Sequence, residues 1–208
     1  MKVKKGDFVE LDFVGRLDDG KIFDLNNKEV AKEEGITSVL DRVIVCVGEK
    51  EVVEGLDNAL VDKEVEKNFH VDVSAEKAFG KRDPKLFQLL SANKFKDQEI
   101  RPYPGLQINV DGMVGTVKTV SGGRIMIDFN HPFAGRDLKY DVKILKIVDD
   151  VNDKVEFSLK NMLGKNVPFE FKEGKLTVKA EFPGEISGMI EENLKTRIKE
   201  LKEIEFKK

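Results

Sequence analysis

Apolar and polar residues alternate from Phe8 to Val14 (Phe-Val-Glu-Leu-Asp-Phe-Val), the two-residue period of a strand buried on one face. Asp18-Asp19-Gly20 then marks a turn, and Lys21-Ile22-Phe23 resumes an extended segment. Residues 24–42 are polar and predict a long bulge or loop with one helical turn around Val30 to Glu34. Val43 to Val47 is a short, β-branched apolar run that predicts a buried strand stopped by Gly48. Leu56, Ala59 and Leu60 recur at helical spacing within Glu54 to Val61, which predicts a short amphipathic helix. Lys67 to Val73 alternates again, with Phe69, Val71 and Val73 opposed to His70 and Asp72.

Past Ala78-Phe79-Gly80 the character changes. Asp83-Pro84 is a helix-start signal, followed by an apolar stripe of Leu86, Phe87, Leu89 and Leu90. Residues 93–112 read as loop, with Pro102, Pro104, Gly105 and Gly112. Two strand-like runs, Met113 to Val120 and Arg124 to Phe129, flank the hairpin signal Ser121-Gly122-Gly123. Leu138 to Val148 supplies one more alternating strand, so one strand pattern is interrupted over residues 84–128. After Asp149-Asp150 a fresh α+β unit is expected: a strand near Val167 to Phe171, another from Leu176 to Phe182, then a helix from about Glu185. In that helix Glu191 and Lys195 stand four residues apart in the favourable order. No internal repeat or low-complexity segment is visible.

Composition narrows the picture. The 208 residues carry 36 Lys and Arg against 39 Asp and Glu, a net charge of -3, so no global basic field draws the protein to nucleic acid. Charged residues make up 36% of the chain with both signs interspersed, a pattern that resembles the Lys/Glu enrichment of proteins from hot environments. Cys46 has no second cysteine to pair with, which fits a reducing compartment. Met1 to Asp7 lacks the apolar core of a secretory signal, and no apolar run approaches the ~18–20 residues of a membrane span. A soluble, cytoplasmic protein without a membrane partner is expected.

Four segments in this order carry a resemblance: Gly-Lys-Ile-Phe-Asp (20–24), Val-Val-Glu-Gly-Leu-Asp-Asn-Ala-Leu (52–60), Ala-Phe-Gly (78–80) and Asn-His-Pro-Phe-Ala-Gly-Arg-Asp-Leu-Lys-Tyr-Asp-Val (130–142). Together they resemble the FKBP-type prolyl isomerases, and the last resembles the SlyD branch and its long-chain archaeal relatives. The resemblance covers residues 1 to about 150 and implies an α+β fold: a twisted antiparallel sheet around a short helix, with a small β-rich domain inserted in the flap that binds unfolded chains. The domains expected are 1–83 plus 129–149 for the isomerase, 84–128 for the insert and 150–208 for a C-terminal α+β domain.

Prolyl isomerisation breaks no covalent bond; its barrier is the ~18–20 kcal/mol of amide resonance lost on twisting. A twisted amide separates less charge than a planar one, so a water-poor, aromatic-lined cleft favours the transition state. Such an enzyme needs no nucleophile, metal or cofactor. Carried over position by position, the family's pocket falls on Phe13, Phe23, Asp24, Val47 and Val52, and on Val53, Leu56, Phe79 and Tyr140. Phe133 is a further wall residue, with Asn130, His131 and Pro132 shaping the rim. The resemblance implies that Asp24 faces the carbonyl of the turning bond while the helix-start residues form the floor. Phe13 and Phe79 stand where the family often has tyrosine, so two polar anchors are missing while the apolar walls remain. Leu56 replaces the large aromatic floor of single-domain members.

Each feature also has a plainer reading. The aromatics suit any β core, Asp24 suits a turn, Cys46 suits a buried inert thiol, and His70 alternates toward solvent. Only two histidines are present, so the metal-binding tail of some family members has no counterpart and a nickel or zinc role is not supported. In the insert, Leu86, Phe87, Leu89, Leu90, Met113, Val114 and Met126 suit a small core or an adaptable client surface equally. Two functions are therefore carried. One is a prolyl isomerase and folding chaperone acting on unfolded or proline-containing polypeptides. The other is a non-catalytic holdase on the same scaffold. No nucleophile, base and orienter set supports a hydrolase. Met189, Ile190, Leu194, Ile198 and Leu201 suit packing on the C-terminal domain's own strands or on a second protomer, so a homodimer through that domain is a further expectation.

Overall fold

A computed structural model describes residues 1–39, 41–96 and 100–207; Leu40 and residues 97–99, within stretches expected as loop, lie outside the described residues. The chain forms two compact units, Met1–Val73 with Leu138–Lys208, and Ser74–Asp137.

The first unit is organised by β1 (Phe8–Leu17), whose alternation extends past the expected end at Val14. One edge of β1 pairs antiparallel with β9 (Leu138–Ile147), which in turn pairs with β4 (Asn68–Val73). The other edge is shared: β2 (Ile22–Leu25) meets residues 14–16 and β3 (Val43–Cys46) meets residues 8–11. Between them the buried Asn26 fills the gap. Its Oδ1 accepts from the Phe13 N–H at 2.7 Å and its Nδ2 donates to the Leu11 carbonyl at 2.6 Å. The side chain thus replaces ladder bonds that β1 would otherwise lack, as buried backbone groups require.

The helical turn expected near Val30 is α1 (Lys28–Glu33), capped by the Asn27 side chain on the Val30 N–H. Its Ala31 packs with Val14 and Leu25 on one face of β1. On the opposite face sits α2 (Glu54–Leu60), where Leu56 and Leu60 are buried. Gly55 is required by close approach, because a Cβ there would stand 2.4 Å from Val73 Cγ1.

Residues 151–207 complete this unit with α4 (Val151–Leu163), β10 (Phe169–Lys172), β11 (Lys175–Val178), α5 (Gly184–Arg197) and β12 (Glu203–Phe206). Strand β11 pairs antiparallel with β10 and parallel with β12. The strands near Val167 and Leu176 and the helix near Glu185 are present, but α4 and β12 were not among the expected elements. Val155, Leu159, Leu176, Leu194 and Ile198 share one buried cluster with Phe8, Ile44 and Cys46, so the C-terminal elements pack directly on β1 and β3. Ile190, Leu194, Ile198 and Leu201 face this core, whereas Met189 is 70% exposed. The Lys195–Glu191 pair closes at 2.6 Å.

The second unit is an antiparallel sheet in the order β5 (Phe87–Ser91), β8 (Arg124–Asp128), β7 (Met113–Ser121), β6 (Gln107–Val110), with the short α3 (Asn93–Lys96) beside it. Two sequence expectations need correction here. The helix started by Asp83-Pro84 lasts one 3-10 turn, Pro84–Leu86, with the Asp83 carboxylate accepting from the Lys85 N–H; the chain then extends into β5, because pairing with β8 satisfies its backbone. Within the expected 93–112 loop, β6 forms a hairpin with β7 through Asp111-Gly112, both with positive φ (52° and 84°). The Gly122-Gly123 hairpin has the same positive-φ pair. The segments 74–83 and 129–137 belong to this unit too and are tied to each other: Asp83 N–H donates to Asn130 Oδ1 and Gly135 N–H to the Gly80 carbonyl. Among the described residues no helix is long and apolar enough to cross a membrane.

Candidate active site

Strand period places Leu11, Phe13, Gly15 and Leu17 on one face of β1, opposite Ile144, Val142, Tyr140 and Leu138 of β9. On this face Tyr140 joins two other rings. Its centroid lies 6.2 Å from Phe13 in a tilted pair and 5.7 Å from Phe23 edge-on. Both geometries are the favourable ones for aromatic quadrupoles. Gly15 makes the cluster possible, because a Cβ there would stand 2.9 Å from Phe23 Cζ and 3.0 Å from Tyr140 Cε1. Gly15 was absent from the expected site; a small residue two positions after Phe13 is the only trace of its role in the sequence.

Asp24 follows Phe23 directly and is half-buried. Desolvation holds its pKa above the ordinary 3.8, opposed in part by the Leu25 N–H that its carboxylate accepts. The Tyr140 hydroxyl is also held above its usual value, by burial first and by the charge of Asp24 second. An acid that resists ionisation beside an aromatic wall is the type of group that marks functional clefts.

Val47, Val52 and Val53 lie on the segment joining β3 to α2, and Leu56 lies in the first turn of α2. Val47 and Leu56 are enclosed, while Val52 and Val53 are half-buried. The buried Asp57 shapes this segment: its Oδ1 accepts from the Gly48 N–H at 2.8 Å and its Oδ2 from the Lys50 N–H at 3.0 Å. Asp57 too was missed, since a carboxylate on the predicted helix reads as a solvated residue.

Phe79 and Phe133 lie in the second unit. Phe79 stacks on His131 with centroids 4.2 Å apart and planes within 9°, and Phe133 stands 5.6 Å from each of them. The insert's apolar residues now divide. Phe95, Ile108, Val117, Ile125 and Ile127 are its core, with Leu90 packed against them. Leu86, Phe87, Leu89, Met113, Val114 and Met126 are exposed, and Leu89 and Met126 are direct cross-strand partners.

The other face of the first unit's sheet carries a polar groove of about 500 Å³ that includes Asp12, Arg16, Asn27, His70 and Asp141. There His70 contacts Asp141 at 2.9 Å and Asp72 at 3.3 Å, and the Asp141 hydrogen bond raises its pKa. Its outward alternation was legible; its acidic partners were not.

Residues 1–96 match the family described as FKBP-type peptidyl-prolyl cis-trans isomerase, and residues 88–133 match the FKBP26, IF domain. The short-type peptidyl-prolyl cis-trans isomerase of Methanocaldococcus jannaschii is 33% identical over 145 residues, covering 68% of this chain and 92% of that protein. The FKBP-type 16 kDa peptidyl-prolyl cis-trans isomerase of Escherichia coli is 30% identical over 105 residues, 49% of this chain and 70% of its own length. The FKBP-type isomerase SlyD of Yersinia pestis is 26% identical over 160 residues, 75% of this chain and 76% of its own.

Proposed function

The chain belongs to the FKBP-type peptidyl-prolyl cis-trans isomerases, and we propose that it catalyses prolyl rotation in polypeptides at the Phe13–Tyr140–Phe23 cluster, with the insert acting as a chaperone surface. The observation that carries this reading is the ring cluster with Asp24 at its edge. A proline ring seated against the aromatics loses water. The planar amide, with its negative oxygen, is then solvated less well than the twisted one. A carboxylate facing the carbonyl carbon attracts it more strongly in the twisted state, where the carbon has lost the nitrogen's electron donation. Val52 and Val53 supply floor, with Val47 and Leu56 packed beneath. The test is exchange NMR on a short Ala-Pro peptide, where acceleration above buffer is expected.

The chaperone part rests on Phe87, Leu89, Val114 and Met126, large apolar side chains left exposed on a small sheet whose core is already filled. Two weak sites on one chain raise the effective concentration of a client proline. Replacing Leu89 and Met126 with serine should therefore slow catalysed refolding of a proline-limited protein by roughly 10-fold, a partial loss of the ~100-fold or more that tethering supplies, while turnover of the short peptide stays unchanged. Equal losses on both substrates would contradict the division of labour. The holdase alternative draws on Phe13 and Phe79, which lack the hydroxyls found in many relatives, and an isomerase rate equal to buffer would favour it.

The functional parts proposed are residues 1–83 with 129–149, the insert 84–128 and the C-terminal domain 150–208. The proposed setting is the cytoplasm of an archaeal cell, in keeping with the archaeal relative and with Cys46, a buried thiol pushed up to about 12 and thus unreactive. Self-association through α5 is proposed on the exposed Ile186 and Met189.

A further inference from the structure

The segment from Val47 to Val53 carries three of the pocket residues, yet its backbone is not self-supporting. Gly48 (φ 91°) and Lys50 (φ 57°) both lie in the left-handed region, and a lysine holds that conformation only where the surroundings impose it. Asp57 supplies part of the restraint from α2. Backbone hydrogen bonds of Val47 with Gly6 and Asp7, and of the Glu49 N–H with the Cys46 carbonyl, hold the segment's start. A further restraint comes from 146 residues away. Arg197, the last residue of α5, donates from Nη1 to Glu51 Oε1 at 2.6 Å, and its Nε stands 3.3 Å from Glu49 Oε2. Glu51 in turn accepts the Cys46 N–H on Oε2 at 2.7 Å, where β3 ends. The Arg197 and Glu51 side chains are 10% and 8% exposed, so this is an enclosed pair.

We propose that Arg197 is a positioning residue for the prolyl pocket: through Glu51 and Glu49 the C-terminal domain fixes the shape of the segment that carries Val47, Val52 and Val53. The inference rests on the pocket reading given above. Arg197 touches no substrate; it acts through two carboxylates at once, in a fixed geometry that the planar guanidinium fork sets and a flexible lysine ammonium holds less well. The buried cluster shared by α4, α5, β1 and β3 gives Arg197 a firm base. Without it, Glu51 becomes an enclosed charge lacking its cation, and the segment must open to hydrate it.

The test compares wild type, Arg197→Met, Arg197→Lys and Asp24→Asn, each held well below its own Tm, by kcat/KM on the short Ala-Pro peptide and by amide hydrogen exchange. Arg197→Met is expected to lower kcat/KM about 10-fold, the scale of a sub-ångström misplacement. The Cys46, Gly48 and Lys50 amides should exchange faster while the Tyr140 amide keeps its protection, and Arg197→Lys should recover part of both effects. Unchanged kcat/KM in Arg197→Met beside a loss in Asp24→Asn overturns the inference and leaves the pocket standing. Faster exchange at Tyr140 and Leu176 as well as in the segment also overturns it, since Arg197 then acts on global stability. Activity unchanged in both Arg197→Met and Asp24→Asn takes down the pocket reading and the inference together.

Discussion

Asp24→Asn is expected to lower kcat/KM on a short prolyl peptide by ~10–100-fold while raising Tm at pH 7. The first effect follows from losing one charged contact to the turning amide, on the order of 1.5–3 kcal/mol. The second follows from burial, which holds the Asp24 pKa above the ordinary 3.8 in the folded state. A raised folded-state pKa means that the native protein binds the proton more tightly than the unfolded chain. Below the ordinary pKa both states are protonated and the carboxyl costs nothing extra. As pH rises through the folded-state pKa the native state must hold a poorly solvated charge, and that stability is lost. Asparagine carries no such charge, so its advantage should appear at pH 7 and vanish by about pH 3. Wild-type kcat/KM should fall on acidification through the raised pKa, whereas the variant's should stay flat. Thermal melts at the two pH values and a pH–rate profile check both statements. Loss of stability at pH 7 in the variant would mean that Asp24 is a structural ion partner instead.

Gly15→Val is expected to lower kcat/KM by ~100-fold, because displacing the reacting geometry by about 1 Å costs that much. The cause is local: the new Cβ alone would meet the Phe23 ring at 2.9 Å and the Tyr140 ring at 3.0 Å. Valine suits a strand backbone, so β1 itself should survive. Overpacking of this kind costs about 1–3 kcal/mol, which urea unfolding would read. Activity measured at equal folded fraction then separates the steric block from instability. Near-normal turnover in a folded Gly15→Val protein would place catalysis away from the Phe13–Tyr140–Phe23 cluster.

Much of this architecture can be read from period alone. Phe8 to Val14, Lys67 to Val73 and Leu138 to Val148 alternate because one face of the sheet is buried, and the central helix announces itself through Leu56 and Leu60. The elements that escaped are those whose pattern is diluted or whose partner is remote. Helix α4 has an Asp150 N-cap, a Val151–Val155–Leu159 stripe and Gly164 in the left-handed C-terminal position, but charged residues between the apolar ones obscure the stripe. Strand β12 has four residues and exists because β11 lies parallel beside it. Strand β5 follows a helix-start signal whose helix stops after one 3-10 turn, where pairing with β8 takes over.

The site divides in the same way. Aromatic positions and Asp24 are visible through short motifs, whereas the residues that arrange them are not. Gly15 matters through two rings that lie 8 and 125 positions further along the chain. Asn26 matters through a gap between two strands on one edge of β1. Arg197 matters through a carboxylate 146 residues distant. None of these partnerships has a local signature, because each is produced by the fold.

The central claim is that the Phe13–Tyr140–Phe23 face with Asp24 turns prolyl bonds. Its most direct test is the cis/trans exchange rate of an Ala-Pro peptide measured by NMR with wild type and with folded Gly15→Val. Wild type is expected to accelerate exchange well above buffer, and the variant to lose most of that acceleration. Wild-type exchange at the buffer rate, or full acceleration by the blocked variant, would contradict the account.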